Sequence, residues 1–275
     1  MTNCPHNPAH VWHGDAVVLR NERLADDTYF ISMKTTAPFP ATVPGQFVML
    51  KLPYRADPLL GRPLAIYNRS GDTPDILDIV YIVVGKMTSR LQEVKPGETL
   101  NVWGPLGNGF SETQMSGNVL CVAGGIGHTP FLTVAQKAIA KGGDVTLLYG
   151  AKTKSRISCM DDFRALGVNV QVATEDGSEG RRGFVTELIE QNAPNTKIIL
   201  SCGPTPMLKA VVREAGKLSL PCFVSLESPM ACGLGICYSC VVDYRTSEEG
   251  ETPEQWDYRR CCVDGPVFDA YRIKL

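Results

Sequence analysis

No apolar run in the 275-residue sequence reaches the length that crosses a bilayer, so an integral membrane role is not expected. Charge of one sign is not in excess: 27 Lys and Arg stand against 29 Asp and Glu, a net charge of −2. That balance offers no electrostatic ground for a nucleic-acid or anionic-membrane partner. The first residues, Met1-Thr-Asn-Cys-Pro-His-Asn-Pro8, lack a basic segment followed by an apolar one, so no secretory leader is expected. Internal repeats and low-complexity tracts are also missing. What remains is ordinary for a globular protein, with 44% hydrophobic and 20% charged residues and length for two or three compact domains.

Cysteine is the residue in surplus, with ten in the chain. A chain of this size with ample apolar content does not need disulfide staples. Half of the cysteines lie within residues 232–262, a clustering that suits metal ligation or redox work in a reducing compartment. A cytoplasmic location is therefore expected. The cluster reads Cys232-Gly-Leu-Gly-Ile-Cys237-Tyr-Ser-Cys240, and Cys261-Cys262 follows before Asp264-Gly265-Pro266. Four residues and then two between cysteines is the plant-type [2Fe–2S] spacing, in which one loop supplies three thiolates and the fourth comes from farther on. Gly233 and Gly235 let the backbone wrap closely and aim amides inward. Tyr238 and Met230 are candidates to restrict solvent there. Zinc is the rival, but it usually takes two similar knuckles, and adjacent cysteines 261 and 262 do not form one. Neighbouring side chains of an extended segment point apart, so one of that pair is expected to be a spare thiol.

Two other stretches read as bland. Ser247 to Glu254 is an acidic, solvated loop. Cys4, His6, His10 and His13, interrupted by Pro5 and Pro8, read as a terminal arm rather than a metal site.

From about Asp15 to Phe110 short strand-type runs alternate with turn signals such as Pro44-Gly45 and Pro96-Gly97, which suggests an antiparallel barrel or sandwich. After Gly117 the rhythm changes. Strand patterns at 119–123, 144–149, 168–172 and 197–201 alternate with helical segments near 130–141, 160–166, 184–192 and 205–217. Such alternation argues for a parallel sheet covered on both faces. A small cysteine-rich unit is expected from about Pro221. The expected architecture is an antiparallel β-barrel (11–112), an α/β parallel-sheet domain (113–220) and a small C-terminal cysteine domain (221–275).

Gly124-Gly-Ile-Gly-His-Thr-Pro130 lies between a strand and a helix, where glycines bring backbone amides to a phosphate. It does not match G-x-G-x-x-G in register, which argues against an ordinary Rossmann dehydrogenase. Cys202-Gly-Pro204 follows another strand, again at the carboxyl edge where ligands of open α/β sheets collect. In Arg62-Pro-Leu-Ala-Ile66 an arginine could pair with phosphate while flat apolar backbone lies against a ring system.

Taken with Gly104-Pro-Leu-Gly-Asn-Gly-Phe110 and Tyr149-Gly-Ala151, these segments resemble the ferredoxin–NADP reductase superfamily. The C-terminal Cys232…Cys262-Val-Asp-Gly-Pro-Val-Phe268 resembles the electron-transfer subunits of B-type dihydroorotate dehydrogenases. The resemblance runs from about Val11 to Phe268 and implies an FAD-binding barrel, an NAD-binding domain and a [2Fe–2S] domain. The implied FAD contacts are Arg62, Pro63, Leu64, Ala65, Val80, Tyr81, Ile82, Met87 and Thr88. The implied NAD contacts are Gly124, Gly125, Gly127, Thr129, Gly150, Cys202, Gly203 and Pro204, with Cys202 near the nicotinamide. The implied cluster ligands are Cys232, Cys237, Cys240 and Cys262, leaving Cys261 spare. Ala65, Ile82, Met87 and His128 depart from the family pattern, where Ser, Arg, Gly and an apolar residue are usual; Lys86 and Arg90 are candidates to compensate.

The implied function is an electron relay in pyrimidine biosynthesis. FAD exchanges a hydride with NAD(H) and passes electrons singly through the cluster to or from an FMN-containing dihydroorotate dehydrogenase catalytic subunit, in a heterotetramer with two copies of each chain. The chain shows no substrate site of its own. The alternatives are an NAD(P)H-dependent reductase subunit serving a hydrogenase, a sulfur reductase or a ferredoxin, and a zinc-stabilised binding module.

Overall fold

The computed structural model describes residues 11–53, 57–69, 75–247 and 253–275. Cys4, His6, His10 and most of the acidic stretch lie outside the described residues. Six strands build the N-terminal half: β1 (Trp12–Arg23), β2 (Thr28–Thr35), β3 (Phe47–Lys51), β4 (Arg62–Ala65), β5 (Ile76–Ile82) and β6 (Thr99–Leu106), with the short helix α1 (Lys86–Leu91) before β6. They form one antiparallel sheet in the order β4-β3-β6-β1-β2-β5, barrel-like because its outer strands β4 and β5 approach each other. Period-two alternation explains which side chains face inward. In β1, Ala16 and Val18 are buried while Val17 and Leu19 face outward. In β3 the alternation divides two cores: Val48 and Leu50 fill the barrel, whereas Phe47 and Met49 pack outward against the rest of the chain. Both faces are covered, hence the continuous apolar run.

The second sheet contains β7 (Val119–Gly124), β8 (Val145–Ala151), β9 (Asn169–Thr174), β10 (Arg181–Arg182), β11 (Ile198–Cys202) and β12 (Cys222–Ser225), with helices α2 (Phe131–Ala140), α3 (Met160–Ala165), α4 (Ile189–Asn192) and α5 (Thr205–Lys217) between them. Its order is β10-β9-β8-β7-β11-β12, all parallel, and β15 (Val267–Asp269) closes it antiparallel to β12. Cores lie on both faces of the sheet, so its strands read as nearly unbroken apolar runs. Helix α2 starts at Phe131 rather than at the expected Thr129-Pro130, because Gly125–His128 first form a 3-10 turn.

The expected division at 220 and 221 runs through this sheet. Cys222 to Ser225 pair with Ile199 to Cys202, and Val267 returns to pair with Ser225. Both pairings are non-local, which is why a four-residue run read as the start of a separate unit. Outside the sheet stands the ribbon of β13 (Val241–Arg245) and β14 (Trp256–Arg260). Asn108 clamps the tail to the barrel: its Nδ2 donates to the Asp264 and Val267 carbonyls at 3.0 and 2.8 Å, and its Oδ1 accepts from Val267 N at 3.1 Å.

Candidate functional site

A cavity of about 760 Å³ opens between the barrel and the second sheet. β4 supplies Arg62, Pro63, Leu64 and Ala65 to its wall, the end of β5 supplies Val80, Tyr81 and Ile82, and α1 supplies Met87 and Thr88. All nine residues expected around FAD therefore meet at one place, though not all offer a side chain. Tyr81 turns into the barrel, where its ring stacks on Tyr29 at 5.7 Å and its hydroxyl donates to Asn21. Met87 is buried among barrel side chains. Thr88 Oγ1 accepts from the Val84 and Gly85 amides at 3.0 and 3.2 Å, which caps α1. Arg62 donates to the Leu60 and Gly61 carbonyls and pairs with no carboxylate among the described residues, leaving its charge for an anion. Of the two compensating cations, Lys86 lines the cavity and pairs with Asp57 at 2.5 Å, while Arg90 joins the same carboxylate at 3.6 Å.

A second cavity of about 730 Å³ lies along the carboxyl edge of the parallel sheet. Gly124, Gly125, Gly150, Gly203 and Pro204 line it as expected. Thr129 and Cys202 line the first cavity instead, and Gly127 lines neither. The two cavities adjoin, sharing Ile82, Ile126 and Glu227. Gly127 serves packing: a Cβ there would stand 2.1 Å from the Cys202 carbonyl oxygen, so the turn lies directly on the end of β11. Gly125 has φ +54°, a left-handed conformation that glycine adopts without strain.

His128 closes this turn. Its Nδ1 lies 2.9 Å from the Gly125 carbonyl, which can only accept, so Nδ1 carries the proton. The ring is wholly buried, edge-on to Tyr149 at 5.3 Å, and burial holds its pKa down at about 4. Cys202 is buried too, and desolvation raises its thiol pKa, so it stands as a neutral thiol.

Several cavity residues escaped sequence reasoning. Ser225 ends β12, and Leu226, Glu227 and Ser228 follow it, all walling the first cavity; Lys152, Glu175 and the exposed Phe184 line the second. Most follow a strand's carboxyl end, the signal that could have found them. Glu227 opens onto both cavities, yet the protein around it raises its carboxyl pKa by desolvation.

The cysteine loop borders the first cavity through Met230, Ala231 and Ser239. Gly233 and Gly235 have φ +72° and +79°; side chains there would collide with Met49 and Leu106 at one glycine and with Val263 and Arg260 at the other. The loop is thus pressed between barrel and tail, and Trp103 Nε1 donates to the Cys232 carbonyl at 3.0 Å. Among the described residues no three His, Cys, Asp or Glu side chains gather at one metal position. The thiols fall into two pairs instead. Cys240 and Cys262 lie 3.3 Å apart, and Cys232 hydrogen-bonds Cys237. Two pairs fit two irons, each taking two thiolates, better than one tetrahedral zinc. Hydrogen bonds from Ser239 and Cys232 bring the Cys237 thiol down to about 6; one shared with Cys262 does the same for Cys240. The bond that lowers Cys240 raises the Cys262 thiol, so this pair shares one proton, with the thiolate on Cys240. Cys261 is buried, and desolvation pushes its thiol up to about 12. Met230 is buried beside the loop, whereas Tyr238 projects outward and does not cover it.

Three family models match successive segments. Residues 15–110 match the oxidoreductase FAD-binding domain, 121–213 the oxidoreductase NAD-binding domain, and 227–274 the iron-sulfur cluster binding domain of dihydroorotate dehydrogenase B. The chain is 36% identical over 260 residues to the electron transfer subunit of dihydroorotate dehydrogenase B (NAD(+)) from Geobacillus sp. strain WCH70, covering 94% of this chain and 97% of that one. The chain belongs to this family. Another dihydroorotate dehydrogenase B electron transfer subunit, from Fusobacterium nucleatum, is 33% identical over 267 residues, 95% of this chain and 98% of that one. Among solved structures, one of the NADH-dependent reduced ferredoxin-NADP oxidoreductase superposes with a TM-score of 0.81 at 28% identity, covering 94% of this chain and 89% of its own. The ferredoxin reductase of carbazole 1,9a-dioxygenase, at TM-score 0.67 and 22% identity over 77% of this chain and 67% of its own, shares the fold. Like its family, the chain is an oxidoreductase subunit with FAD-binding, NAD-binding and iron–sulfur domains. No helix among the described residues is long and apolar enough to cross a membrane.

Proposed function

We propose that this electron transfer subunit relays electrons between NAD(H) and an FMN-containing dihydroorotate dehydrogenase catalytic subunit, in the pyrimidine pathway of the cytoplasm. The carrying observation is continuity. The dinucleotide cavity shares walls with the flavin cavity, and the flavin cavity shares a wall with the cysteine loop. When bound, FAD takes a hydride from a nicotinamide and releases electrons one at a time, the conversion that a cluster requires. The chain's own residues hold and insulate. β4 and Ile82 would lie along the flavin, Arg62 would offer charge to its phosphates, and the Gly124–Gly125 turn with Gly203 would receive the dinucleotide. Thr129 and Cys202, on the flavin side, would meet the nicotinamide. Cys232, Cys237, Cys240 and Cys262 would hold the [2Fe–2S] cluster.

Leu234, Ile236 and Tyr238 on the loop and Val241, Trp256 and Tyr258 on the adjoining ribbon are exposed, apolar and aromatic side chains that support partner docking beside the cluster. Two copies of each chain would complete the assembly. In this reading 11–112 serves FAD, 113–220 NAD and 221–275 the cluster, with β12 and β15 tying the last to the second. The resemblance to a ferredoxin-NADP oxidoreductase structure supports the alternative of another redox partner. Anaerobic co-purification decides between them: an FMN protein should accompany the chain, and added dihydroorotate should reduce NAD. Recovery with a ferredoxin, hydrogenase or sulfur-reducing partner, and no response to dihydroorotate, would overturn the proposal.

A further inference from the structure

Arg260 ends β14 beside the cysteine loop and has no part in the relay described above. Its Nη1 donates to the Gly235 carbonyl at 3.2 Å, midway between Cys232 and Cys237 along the loop. A Cβ on Gly235 would come 3.1 Å from that nitrogen, so the guanidinium lies flush against the loop backbone. Its Cζ stands 5.8 Å from the Tyr238 ring centroid. Two residues on, Cys262 carries the thiol paired with Cys240.

The counter-charge is on the other side. Asp264 Oδ2 accepts from the Arg260 backbone N at 2.8 Å and from Nε at 3.2 Å, which fixes the carboxylate at the Nε edge and leaves Nη1 on the loop. The ion pair is thus oriented, with its positive end toward the loop. Arg259 turns away: its Nη1 pairs with Asp257 at 2.5 Å, and its Cζ lies 5.3 Å from the Tyr244 ring centroid. Arginine keeps its charge at every accessible pH, so the cation is permanent.

We propose that Arg260 is a positioning residue that holds a fixed positive charge against the cysteine loop and thereby raises the reduction potential of its cluster. The proposal rests on the reading that the four cysteines hold a [2Fe–2S] cluster. Adding an electron makes the cluster more negative, so a nearby cation stabilises the reduced state more than the oxidised one. With Asp264 offsetting part of the charge, losing the cation should lower the reduced-to-oxidised ratio by about tenfold, or about 59 mV for one electron.

The test is an EPR-monitored redox titration of the anaerobically purified full chain, with iron and sulfide assayed in each variant. Arg260→Gln keeps a donor for the Gly235 carbonyl but lacks the charge, and its potential should fall by that amount. Arg260→Lys keeps the charge and should stay within twofold of wild type. Asp264→Asn removes the offset and should shift the ratio upward. An intact cluster in Arg260→Gln with an unmoved potential would overturn the proposal, as would Lys falling as far as Gln. Should Gln fail to assemble a cluster, an unmoved or lowered ratio in Asp264→Asn would overturn it equally. Wild-type chain without iron or sulfide would instead sink the cluster reading beneath it.

Discussion

Replacing Gly127 with Ala tests how closely the dinucleotide turn is tied to the flavin side. The new Cβ would stand 2.1 Å from the Cys202 carbonyl oxygen, 2.5 Å from its carbon and 2.9 Å from Gly203 N, where 3.4 Å begins ordinary contact. Cys202 cannot yield, because β11 is hydrogen-bonded to β7 on one side and β12 on the other. The turn itself must move outward, by roughly an ångström on ordinary van der Waals spacing. Overpacking of this kind costs about 1–3 kcal/mol of stability. An ångström of misplacement can also cost up to about 10²-fold in reaction efficiency, because the turn would no longer hold a dinucleotide in place beside the first cavity. Neighbouring glycines supply the controls. Gly125→Ala meets nothing within 4 Å and bears only its left-handed φ, about 1–2 kcal/mol. Gly124→Ala presses on the Met207 sulfur at 2.7 Å, a flexible group that can swing aside, and more mildly on Pro204 Cδ at 3.0 Å. Thermal melting should place Gly127→Ala well below both, and stopped-flow reduction by NADH should place it well below wild type although Gly127 lines neither cavity. If it melts and reduces like wild type while Gly125→Ala suffers, the backbone-contact argument is wrong.

Other expectations follow from single contacts. Cys262→Ser should lose iron, sulfide and the visible absorption of the cluster, whereas Cys261→Ser should retain all three; the reverse would exchange the ligand assignment. Asn108→Ala removes three hydrogen bonds that clamp the tail to the barrel, for about 2–4 kcal/mol, seen in denaturant midpoints. An unchanged midpoint would show that the clamp is redundant. His128 binds a proton near pH 6.5 when unfolded but only near 4 in the fold. Between those values the unfolded state holds more protons, so stability is full above the upper value and falls on acidification by up to about 3 kcal/mol. His128→Leu should flatten that part of the stability profile, and an identical acid slope in both proteins would refute the buried, neutral histidine.

Sequence by itself determined the chemistry that local spacing encodes. Three thiols within nine residues, glycines between them, and a glycine-rich strand-to-helix turn act through neighbouring backbone, so their meaning survives without the fold. Strand periodicity likewise placed β7, β8, β9 and β11, since burial on both faces writes itself into the residue pattern, but it placed none of the four strands after Pro221. Tertiary structure decided what depends on distant partners. Only the pairing of Cys222–Ser225 with β11, and of Val267 with Ser225, makes the cysteine tail continuous with the nucleotide sheet. Only the meeting of two domains turns Glu227 toward both cavities and puts Thr129 and Cys202 on the wall of the first. The preference for Cys262 over Cys261 came from the resemblance around Cys262-Val-Asp264; the fold adds the spatial reason, a 3.3 Å approach of Cys240 to the Cys262 thiol.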